Sequence, residues 1–204
     1  VVVLPVEEEF HRYPRNLSTI HWRSVMVLAA LDVPHVPLTV RASVAVIGIA
    51  EVGVWMGGSM IPQLLALKHN GIGSAIAIDP WERAASVEGQ TGANEEWWSK
   101  TNHTRAYEVF VERLRKHGVE SICDVQRVRS DDVVLPPHRA LGLCHIDGNH
   151  SAQAIRDVER FAPCVDVGGI LVLDDIGWEG GSVALSVDLA RSMGFVDLYP
   201  IGTG

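Results

Sequence analysis

The chain has 204 residues, 47% of them hydrophobic, which is enough for one well-buried core and short for two, so we expect a single globular domain. Its formal net charge is -8 at pH 7, and an acidic chain without a long run of Lys or Arg is not typical of proteins that bind nucleic acids or anionic membranes. No apolar stretch reaches the roughly 18 residues of a membrane span and no signal-peptide pattern precedes one, so we expect a soluble protein that is not exported.

The N-terminal part is irregular in pattern, and we interpret residues 1–40 as a segment that caps a domain formed by residues 41–204. Because the chain starts without Met, we expect upstream residues to be missing from it. Apolar side chains recur at helical spacing over residues 17–31. The segment carries three ring-bearing side chains, His11, His21 and Trp22. They would line a substrate pocket if the segment covers a site; the alternative is that they are ordinary surface and core residues.

A strand, a glycine-rich loop and a helix are predicted in succession. The β-branched apolar run from Val44 to Ala50 is followed by the sequence EVGVWMGGS, and then by a helical pattern to Asn70 that Gly71 ends. Glycines let a backbone turn tightly and approach a ligand, and the free N–H groups at the start of a helix suit an anionic group. The spacing is not GxGxxG and no P-loop Lys follows, which argues against a dehydrogenase and an NTPase.

An acidic residue ends the second predicted strand. This strand, Ser74 to Ile78, is followed directly by Asp79, at the distance from the glycine loop where a carboxylate accepts hydrogen bonds from ribose hydroxyls. The first half of the chain is therefore predicted to bind a nucleoside.

The motif ExGxxxGxS from Glu51 to Ser59, with AIDP ending at Pro80, resembles the class I S-adenosylmethionine-dependent methyltransferases. Among these it is most similar to the cation-dependent O-methyltransferases of the catechol and caffeoyl-CoA type and to bacterial enzymes that methylate natural-product sugars. The resemblance implies an α/β fold, a Rossmann-like doubly wound, mostly parallel sheet with helices on both faces. It also implies S-adenosyl-L-methionine as cofactor, with Glu51 and Gly53 near its methionine end, Ser59 on its carboxylate and Asp79 on its ribose. The remaining cofactor candidates in this half are Gly57, Gly58 and Trp81, the last expected to pack beside the cofactor.

The stretch from Pro80 to Lys100 has no sustained period, and we predict a long loop or lid. Its aromatic pair, Trp97 and Trp98, would form a wall for a ring-shaped substrate. The alternative is that one Trp only anchors the loop to the core.

An amphipathic helix is predicted from Thr101 to His117, with Gly118 as its end, and a strand from Ile122 to Val128. A polar turn follows that strand. The family resemblance implies that this turn borders the adenine, which makes Ser130 and Asp131 candidate cofactor contacts. A polar turn after a strand is also expected without any ligand.

Two further predicted strands, Leu141 to Ile146 and Gly169 to Leu173, end at carboxylates: Asp147 after the first, Asp174 and Asp175 after the second. Active sites of open α/β sheets lie along the carboxyl edge of the parallel strands. Three clustered carboxylates raise one another's pKa unless a cation offsets their charge, and oxygen ligands favour a hard ion such as Mg²⁺.

Adjacent strand residues point to opposite faces, so Asp174 and Asp175 share one ion only if the chain leaves strand geometry there, which the nearby Gly177 permits. The alternative is that Asp147 caps the following helix and the pair is solvated. In the cation-dependent enzymes that the chain resembles, one metal carboxylate follows strand four and an acidic pair follows strand five. That pattern implies Asp147, Asp174 and Asp175 as metal ligands and is continued by Trp178.

One residue departs from the resemblance. Where those enzymes carry a Lys three residues after the first metal Asp, this sequence has His150. An imidazole has an ordinary pKa of about 6.5 and is a better general base near neutrality than an amine, so His150 is the candidate base beside Asp147. The alternatives are a structural His at a helix start, and Asn149 as the substrate contact.

The remaining elements are a helix from Ser151 to Ala162, a helix from about Ser182 to Met193 and a strand from Phe195 to Ile201. The sheet of the similar family has seven strands with an antiparallel end, and this chain ends too soon to show the seventh clearly. Three cysteines, Cys123, Cys144 and Cys164, are odd in number and lie in apolar runs, which favours reduced thiols and a cytoplasmic protein.

These features together predict a cation-dependent O-methyltransferase that uses Mg²⁺ and S-adenosyl-L-methionine and acts on a hydroxyl of a small molecule, a natural-product sugar or a phenol. A nicotinamide-dependent oxidoreductase of Rossmann fold and a non-catalytic cofactor-binding module are the alternatives. Nucleic-acid and membrane partners are not expected, and an assembly of several copies of the chain is left open.

Overall fold

The computed structural model of the protein describes residues 2–4, 48–134, 141–177 and 182–199. The predictions for residues 17–31, for His11, His21 and Trp22, and for Trp178 lie outside these ranges.

The sheet is mostly parallel. The described residues form seven strands: β1 Val2–Leu4, β2 Gly48–Val52, β3 Ser74–Ile78, β4 Cys123–Gln126, β5 Leu141–Ile146, β6 Val165–Leu173 and β7 Val196–Tyr199. Their spatial order is β4-β3-β2-β5-β6-β1-β7. The five strands from β4 to β6 in this order pair in parallel, whereas β1 is antiparallel to both β6 and β7. The predicted Rossmann-like α/β sheet is confirmed.

Helices cover both faces of the sheet. They are α1 Met60–Asn70, α2 Arg83–Val87, α3 Gly92–Lys100, α4 His103–His117, α5 Gln153–Phe161 and α6 Ser182–Ser192. Leu64 of α1 and Phe110 of α4 belong to one buried apolar cluster, and Phe161 of α5 and Val187 of α6 belong to a second. The two clusters are the cores of a doubly wound sheet, with α1 and α4 in one and α5 and α6 in the other.

The strand order places a switch point between β2 and β5. From β2 the chain continues outward through β3 to β4, and it then returns to the other side of β2 as β5. Ligands of open α/β sheets bind in the crevice beyond the carboxyl ends of the two strands at such a point. Here those ends lead directly into Gly53 and Asp147, because β2 ends at Val52 and β5 at Ile146.

Most predicted boundaries are close to the observed ones, and the glycine ends of two helices are confirmed. Gly71 after α1 and Gly118 after α4 have φ values of 68° and 59°, and their N–H groups bond to carbonyls of the preceding turn. The left-handed conformation favours Gly at this position, so a glycine after a helical pattern directly predicts the end of the helix.

The prediction of a long irregular loop from Pro80 to Lys100 is wrong, and the alternative of a lid stays a prediction. The segment contains α2 and α3, and neither helix has a buried side chain. Without a buried face there is no apolar stripe, so the sequence shows no helical period. A second difference is that Val2–Leu4, assigned to the cap segment, forms β1 inside the sheet between β6 and β7. The division of the chain at residue 40 stays a prediction.

All three cysteines are free thiols. Burial raises the pKa of the Cys123 thiol to about 12 and raises that of Cys144 further, so neither is a reactive thiolate at neutral pH. Within the described ranges, no helix is both long and apolar enough to cross a bilayer.

Candidate active site

A cavity of about 260 Å³ opens at the switch point. Of the residues singled out by the sequence as cofactor, metal or catalytic candidates, six line it: Gly53, Asp79, Ser130, Asp147, His150 and Asp175. Seven others do not, namely Glu51, Gly57, Gly58, Ser59, Trp81, Asp131 and Asp174. The cavity therefore joins the predicted nucleoside side and the predicted cation side in one space.

Gly53 allows the two strand exits to touch. Its φ is 86°, and a Cβ there would lie 1.9 Å from the carbonyl oxygen of Asp147. The Asp147 N–H donates to the Val52 carbonyl at 2.8 Å, and the Gly53 N–H donates to the Ile78 carbonyl at 2.9 Å. Any side chain at this glycine would push apart the loop after β2 and the loop after β5.

Glu51 is a buried polar hub next to the glycine loop. Its carboxylate is fully buried, and it accepts hydrogen bonds from Ser59 Oγ at 2.6 Å and Gln63 Nε2 at 2.5 Å. His145 Nδ1 lies 3.2 Å from Glu51 Oε2. These contacts of Glu51 thus link β2, the start of α1 and β5. The predicted contacts of Glu51 and Ser59 with a cofactor stay predictions.

The other glycines of the loop shape its turn. Gly57 has a φ of 79°, and a Cβ there would lie 2.5 Å from the Phe110 ring. Its N–H donates to the Val54 carbonyl at 2.8 Å, and Gly58 continues the same turn. Gly57 therefore lets the loop pack closely against α4.

Asp79 holds two tryptophans in a backbone conformation that favours glycine. Trp55 and Trp81 have φ values of 51° and 46°, and their N–H groups donate to the Asp79 carboxylate at 2.9 and 2.6 Å. Trp81 Nε1 also donates to the Trp55 carbonyl at 2.8 Å. A positive φ at a bulky residue costs on the order of 1 to 2 kcal/mol, and these hydrogen bonds offset part of it. Burial raises the pKa of Asp79, and the two N–H donors oppose that shift.

Trp81 belongs to the core. Its ring is stacked on Phe110 with centroids 5.7 Å apart and meets Tyr107 edge-on at 5.0 Å. Trp55, Trp97 and Trp98 instead line the cavity. Trp98 packs nearly perpendicular to Trp55 at 5.1 Å and to Trp97 at 4.6 Å. The aromatic pair of α3 packs against Trp55 and lines the cavity, and its contact with a ring-shaped substrate stays a prediction.

Ser130 belongs to a buried network that the sequence did not reveal. Its hydroxyl donates to Asp157 Oδ1 at 2.5 Å and accepts from Gln153 Nε2 at 3.0 Å. Gln153 Nε2 also lies within hydrogen-bond distance of Asp157 Oδ1 at 2.9 Å and of Asp131 Oδ1 at 3.1 Å. Burial raises the pKa of Asp157, and the hydrogen bonds from Ser130 and Gln153 oppose the rise. The network fixes the Ser130 turn against α5.

Two groups of potential metal ligands share Asp147. One consists of His145, Asp147 and Asp174, and the other of Asp147, His150 and Asp175. In each group the ligand atoms lie within 4.8 Å of one another. The three predicted aspartates are brought to one edge, but each member of the acidic pair joins Asp147 together with a different histidine.

The backbone at the acidic pair leaves strand geometry, as the prediction required. Asp175 has a φ of 49°, and its N–H donates to Asp174 Oδ1 at 2.8 Å. The turn directs Asp175 Oδ2 to His150 Nε2 at 3.1 Å, while Asp174 Oδ2 lies 4.0 Å from His145 Nε2. The left-handed residue is the second aspartate itself, and not the glycine two positions later.

The charges of these groups are strongly coupled. Burial raises the pKa of Asp147 well above its ordinary value, and Asp174, Glu51 and Asp175 add to the rise, whereas His145 opposes it. The hydrogen bond from His150 lowers the pKa of Asp175. Burial by itself lowers the pKa of His145, but the hydrogen bond and charge of Glu51 outweigh it and the net shift is upward.

The donor set of these groups fits a divalent cation. A cation offsets the mutual repulsion of carboxylates held at one edge, and the carboxylate oxygens suit Mg²⁺ or Mn²⁺. The imidazole nitrogens of His145 and His150 widen the choice to transition metals, which accept nitrogen ligands more readily than Mg²⁺ does.

Comparison with known proteins gives a family and a fold. A family model described as a methyltransferase domain matches residues 50–176. The O-methyltransferase TomG from Streptomyces achromogenes, involved in tomaymycin synthesis and solved with SAM, has a TM-score of 0.54 and 16% identity over 84% of this chain and 66% of its own. The O-methyltransferase NovP has a TM-score of 0.64 and 19% identity over 89% of this chain and 76% of its own. This chain thus spans slightly less than two thirds of TomG. None of the curated proteins compared with it matches.

Proposed function

The chain belongs to the methyltransferase-domain family, whose model matches more than half of its residues, and from this premise we propose that it is an S-adenosyl-L-methionine-dependent O-methyltransferase. The observation that carries the proposal is the single cavity lined by Asp79 and Ser130 on one side and by Asp147, His150 and Asp175 on the other. The first side suits a nucleoside cofactor, and the second suits a hydroxyl that must lose a proton.

The cofactor half rests on the glycine loop and Asp79. Asp79 lines the cavity directly after β3, where a carboxylate accepts hydrogen bonds from ribose hydroxyls. Gly53 leaves the space between β2 and β5 free of a side chain. Ser130 lines the same cavity, on the turn where we propose the adenine lies. The family match favours methyl transfer over the nicotinamide alternative.

The acceptor half rests on the groups around Asp147. Asp147, Asp174 and Asp175 are the residues that would hold a divalent cation, for which we propose Mg²⁺, and His145 and His150 lie beside them. A cation held there supplies Lewis-acid chemistry that lowers the pKa of an acceptor hydroxyl.

His150 is the proposed base. Its Nε2 lies 3.1 Å from Asp175 Oδ2, so Asp175 fixes the orientation of the imidazole. His150 lines the cavity, and we propose that its imidazole takes the proton of the acceptor hydroxyl. S-adenosyl-L-methionine, when bound, would supply the methyl group, and its transfer to the acceptor oxygen would leave both electrons of the broken S–CH₃ bond on the sulfur of S-adenosylhomocysteine. Correct positioning alone contributes about 7 to 11 kcal/mol in such displacements.

The proposed acceptor is a small molecule, a natural-product sugar or a phenol. The wall formed by Trp55, Trp97 and Trp98 supports a flat or ring-shaped acceptor. The excess of Asp and Glu over Arg around the cavity argues against a polyanionic partner. The free thiols support a cytoplasmic location.

Calorimetry with S-adenosylhomocysteine and with NAD separates this proposal from its alternative. We expect saturable binding of S-adenosylhomocysteine and none of NAD at the same concentrations. The reverse result would replace the methyltransferase proposal with a nicotinamide-dependent one. Methyl transfer to any small hydroxyl compound excludes a non-catalytic module.

His150→Gln is expected to lower kcat by about 10²- to 10⁴-fold, the usual contribution of a general base, because Gln keeps a polar group but accepts no proton. The affinity for S-adenosylhomocysteine should stay within about twofold, since the proposed role concerns the acceptor. Steady-state kinetics and calorimetry measure the two quantities. His69→Gln, an exposed substitution near the end of α1, is the matched control. An unchanged kcat in His150→Gln would remove His150 from the role of base.

A further inference from the structure

The side chain of Asn149 is fully used in hydrogen bonds. Nδ2 donates to the carbonyls of Ala85 and Glu88 at 2.9 Å each. Oδ1 accepts from the Ser151 N–H at 2.8 Å and from Gln90 Nε2 at 3.0 Å. Both donors and both acceptor positions of the carboxamide are therefore occupied by the protein. Asn149 is a structural tie and not a free contact for a substrate.

The tie joins two parts of the cavity wall. On one side is the stretch of residues 83–91, which we call the cover segment. Ala85, Ser86, Glu88 and Gln90 of the cover segment line the cavity. On the other side is the loop after β5, which carries both Asp147 and His150. Asn149 lies in this loop, so it fixes the cover segment directly beside the groups proposed to act on the acceptor.

Other contacts hold the cover segment weakly. Its helix α2 has no buried side chain, nor has the following α3, so little apolar burial fixes it in place. Glu88 forms an ion pair with Arg129 at 2.6 Å, but both side chains are more than a third exposed, and exposed ion pairs contribute little. Among the contacts of this segment described by the structure, the hydrogen bonds of Asn149 with Ala85, Glu88 and Gln90 form its densest attachment.

The two parts approach closely at the tie. Gly89 has a φ of 68°, and a Cβ there would lie 2.6 Å from the Cβ of Ser151. The cover segment therefore fits against the loop after β5 only with glycine at its tip. The cover segment and the loop after β5 are thus closely packed, and Asn149 provides hydrogen bonds between them.

We propose that Asn149 is a positioning residue that holds the cover segment over the nucleoside side of the cavity, and that breaking its hydrogen bonds opens the way by which the cofactor product leaves. The assignment to the nucleoside side follows from the ion pair of Glu88 with Arg129, because Arg129 directly precedes Ser130 and both line the cavity. The identity of the departing ligand as S-adenosylhomocysteine rests on the proposed function.

The rate of product release tests the proposal. In Asn149→Ala we expect S-adenosylhomocysteine to dissociate roughly 10- to 100-fold faster, a change of about 1.4 to 2.8 kcal/mol, with the association rate little altered. Stopped-flow displacement can follow release by tryptophan fluorescence, because Trp97 and Trp98 line the cavity. Asn102→Ala is the matched control, since Asn102 caps α4 by accepting the Arg105 N–H at 2.9 Å and does not line the cavity. A dissociation rate equal to that of the control overturns the proposal.

Two further variants distinguish the loss of the Asn149 hydrogen bonds from a general loss of stability. Asn149→Asp keeps the size and one acceptor but turns an oxygen towards two carbonyls, so release should be at least as fast as in the Ala variant. Release at the wild-type rate from Asn149→Asp would also overturn the proposal. If Asn149→Ala does not fold, Gln90→Ala removes one of the hydrogen bonds between Asn149 and the cover segment. We then expect release about two- to fivefold faster, and an unchanged rate would overturn the proposal.

Hydrogen exchange in the ligand-free protein makes the test independent of the cofactor. Amides of residues 83–91 should exchange roughly 10- to 100-fold faster in Asn149→Ala than in the wild type, while those of α1 stay unchanged. Equal exchange in the two proteins overturns the proposal. If the wild type binds no S-adenosylhomocysteine, the proposed function fails, and the exchange rates still decide whether Asn149 holds the cover segment.

Discussion

Asp147→Asn is expected to abolish divalent-cation binding and to lower methyl transfer by roughly 10³-fold or more. Asp147 is common to both groups of potential ligands, the one with His145 and Asp174 and the one with His150 and Asp175. Its loss therefore removes a ligand from either group. A Lewis acid contributes several kcal/mol to such a reaction, and each 1.4 kcal/mol is about tenfold in rate. Asn keeps the shape of the side chain and removes its charge.

The loss should not come from unfolding. Burial raises the pKa of Asp147 well above its ordinary value. A carboxyl whose pKa is higher in the folded state than in the unfolded state destabilises the fold once the pH exceeds the unfolded value. At pH 7 and without a cation, Asn removes that cost, so the midpoint of thermal unfolding should stay equal or rise.

Titration with Mn²⁺, followed by electron paramagnetic resonance, measures cation binding directly. Asp188→Asn is the control, because Asp188 lies on α6 with 69% of its side chain exposed. We expect one bound ion in the wild type and in the control and none in Asp147→Asn. Activity that persists in Asp147→Asn, or full wild-type activity after dialysis against EDTA, would contradict the cation-dependent proposal.

The sequence predicted the sheet and the edge of the site because both depend on short-range patterns. Apolar runs mark the strands, and the residues after parallel strands meet at one edge. Asp79 follows β3 and Asp147 follows β5, and both line the cavity. To predict where these side chains lie, only the order of the strands and the residues at their ends were needed.

Residues that act through packing were missed. His145 lies within an apolar strand, and its partner Glu51 is on the neighbouring strand. Asp157 is one polar residue of a helix, and only the three-dimensional contact with Ser130 distinguishes it from a surface carboxylate. The available signal for His145 was its position two residues before Asp147, which places both on the same face of β5 extended by one residue.

The helices between Pro80 and Lys100 were missed for a related reason, whereas the lid predicted there stays a prediction. Neither α2 nor α3 buries a side chain, so no period appears in the sequence. The position of the cover segment depends on hydrogen bonds to Asn149, from a distant part of the chain. Spacing along the sequence contains no information about such a tie. The glycine loop differs, because a backbone that requires glycine leaves a mark in the sequence itself.

Gly53→Ala is expected to be far more damaging than Gly71→Ala, although both glycines have a positive φ, of 86° and 68°. At Gly71 an added Cβ would meet nothing within 4 Å, so the cost is that of the left-handed conformation alone, about 1 to 2 kcal/mol. At Gly53 the Cβ would lie 1.9 Å from the Asp147 carbonyl oxygen and 2.5 Å from its carbonyl carbon. Backbone must move there, and we expect a loss of roughly 4 kcal/mol or more, the range of the most disruptive substitutions.

Urea unfolding gives the two free energies of unfolding, and Mn²⁺ titration gives the functional consequence. Gly71→Ala should bind Mn²⁺ as the wild type does, because neither Gly71 nor any residue of α1 lines the cavity. Gly53→Ala, if it folds, should bind Mn²⁺ at least tenfold more weakly, because relief of the clash displaces the loop that carries Asp147. Equal destabilisation by the two substitutions would mean that the exits of β2 and β5 are not in contact, and the close approach of the cofactor side and the cation side would then have to be abandoned.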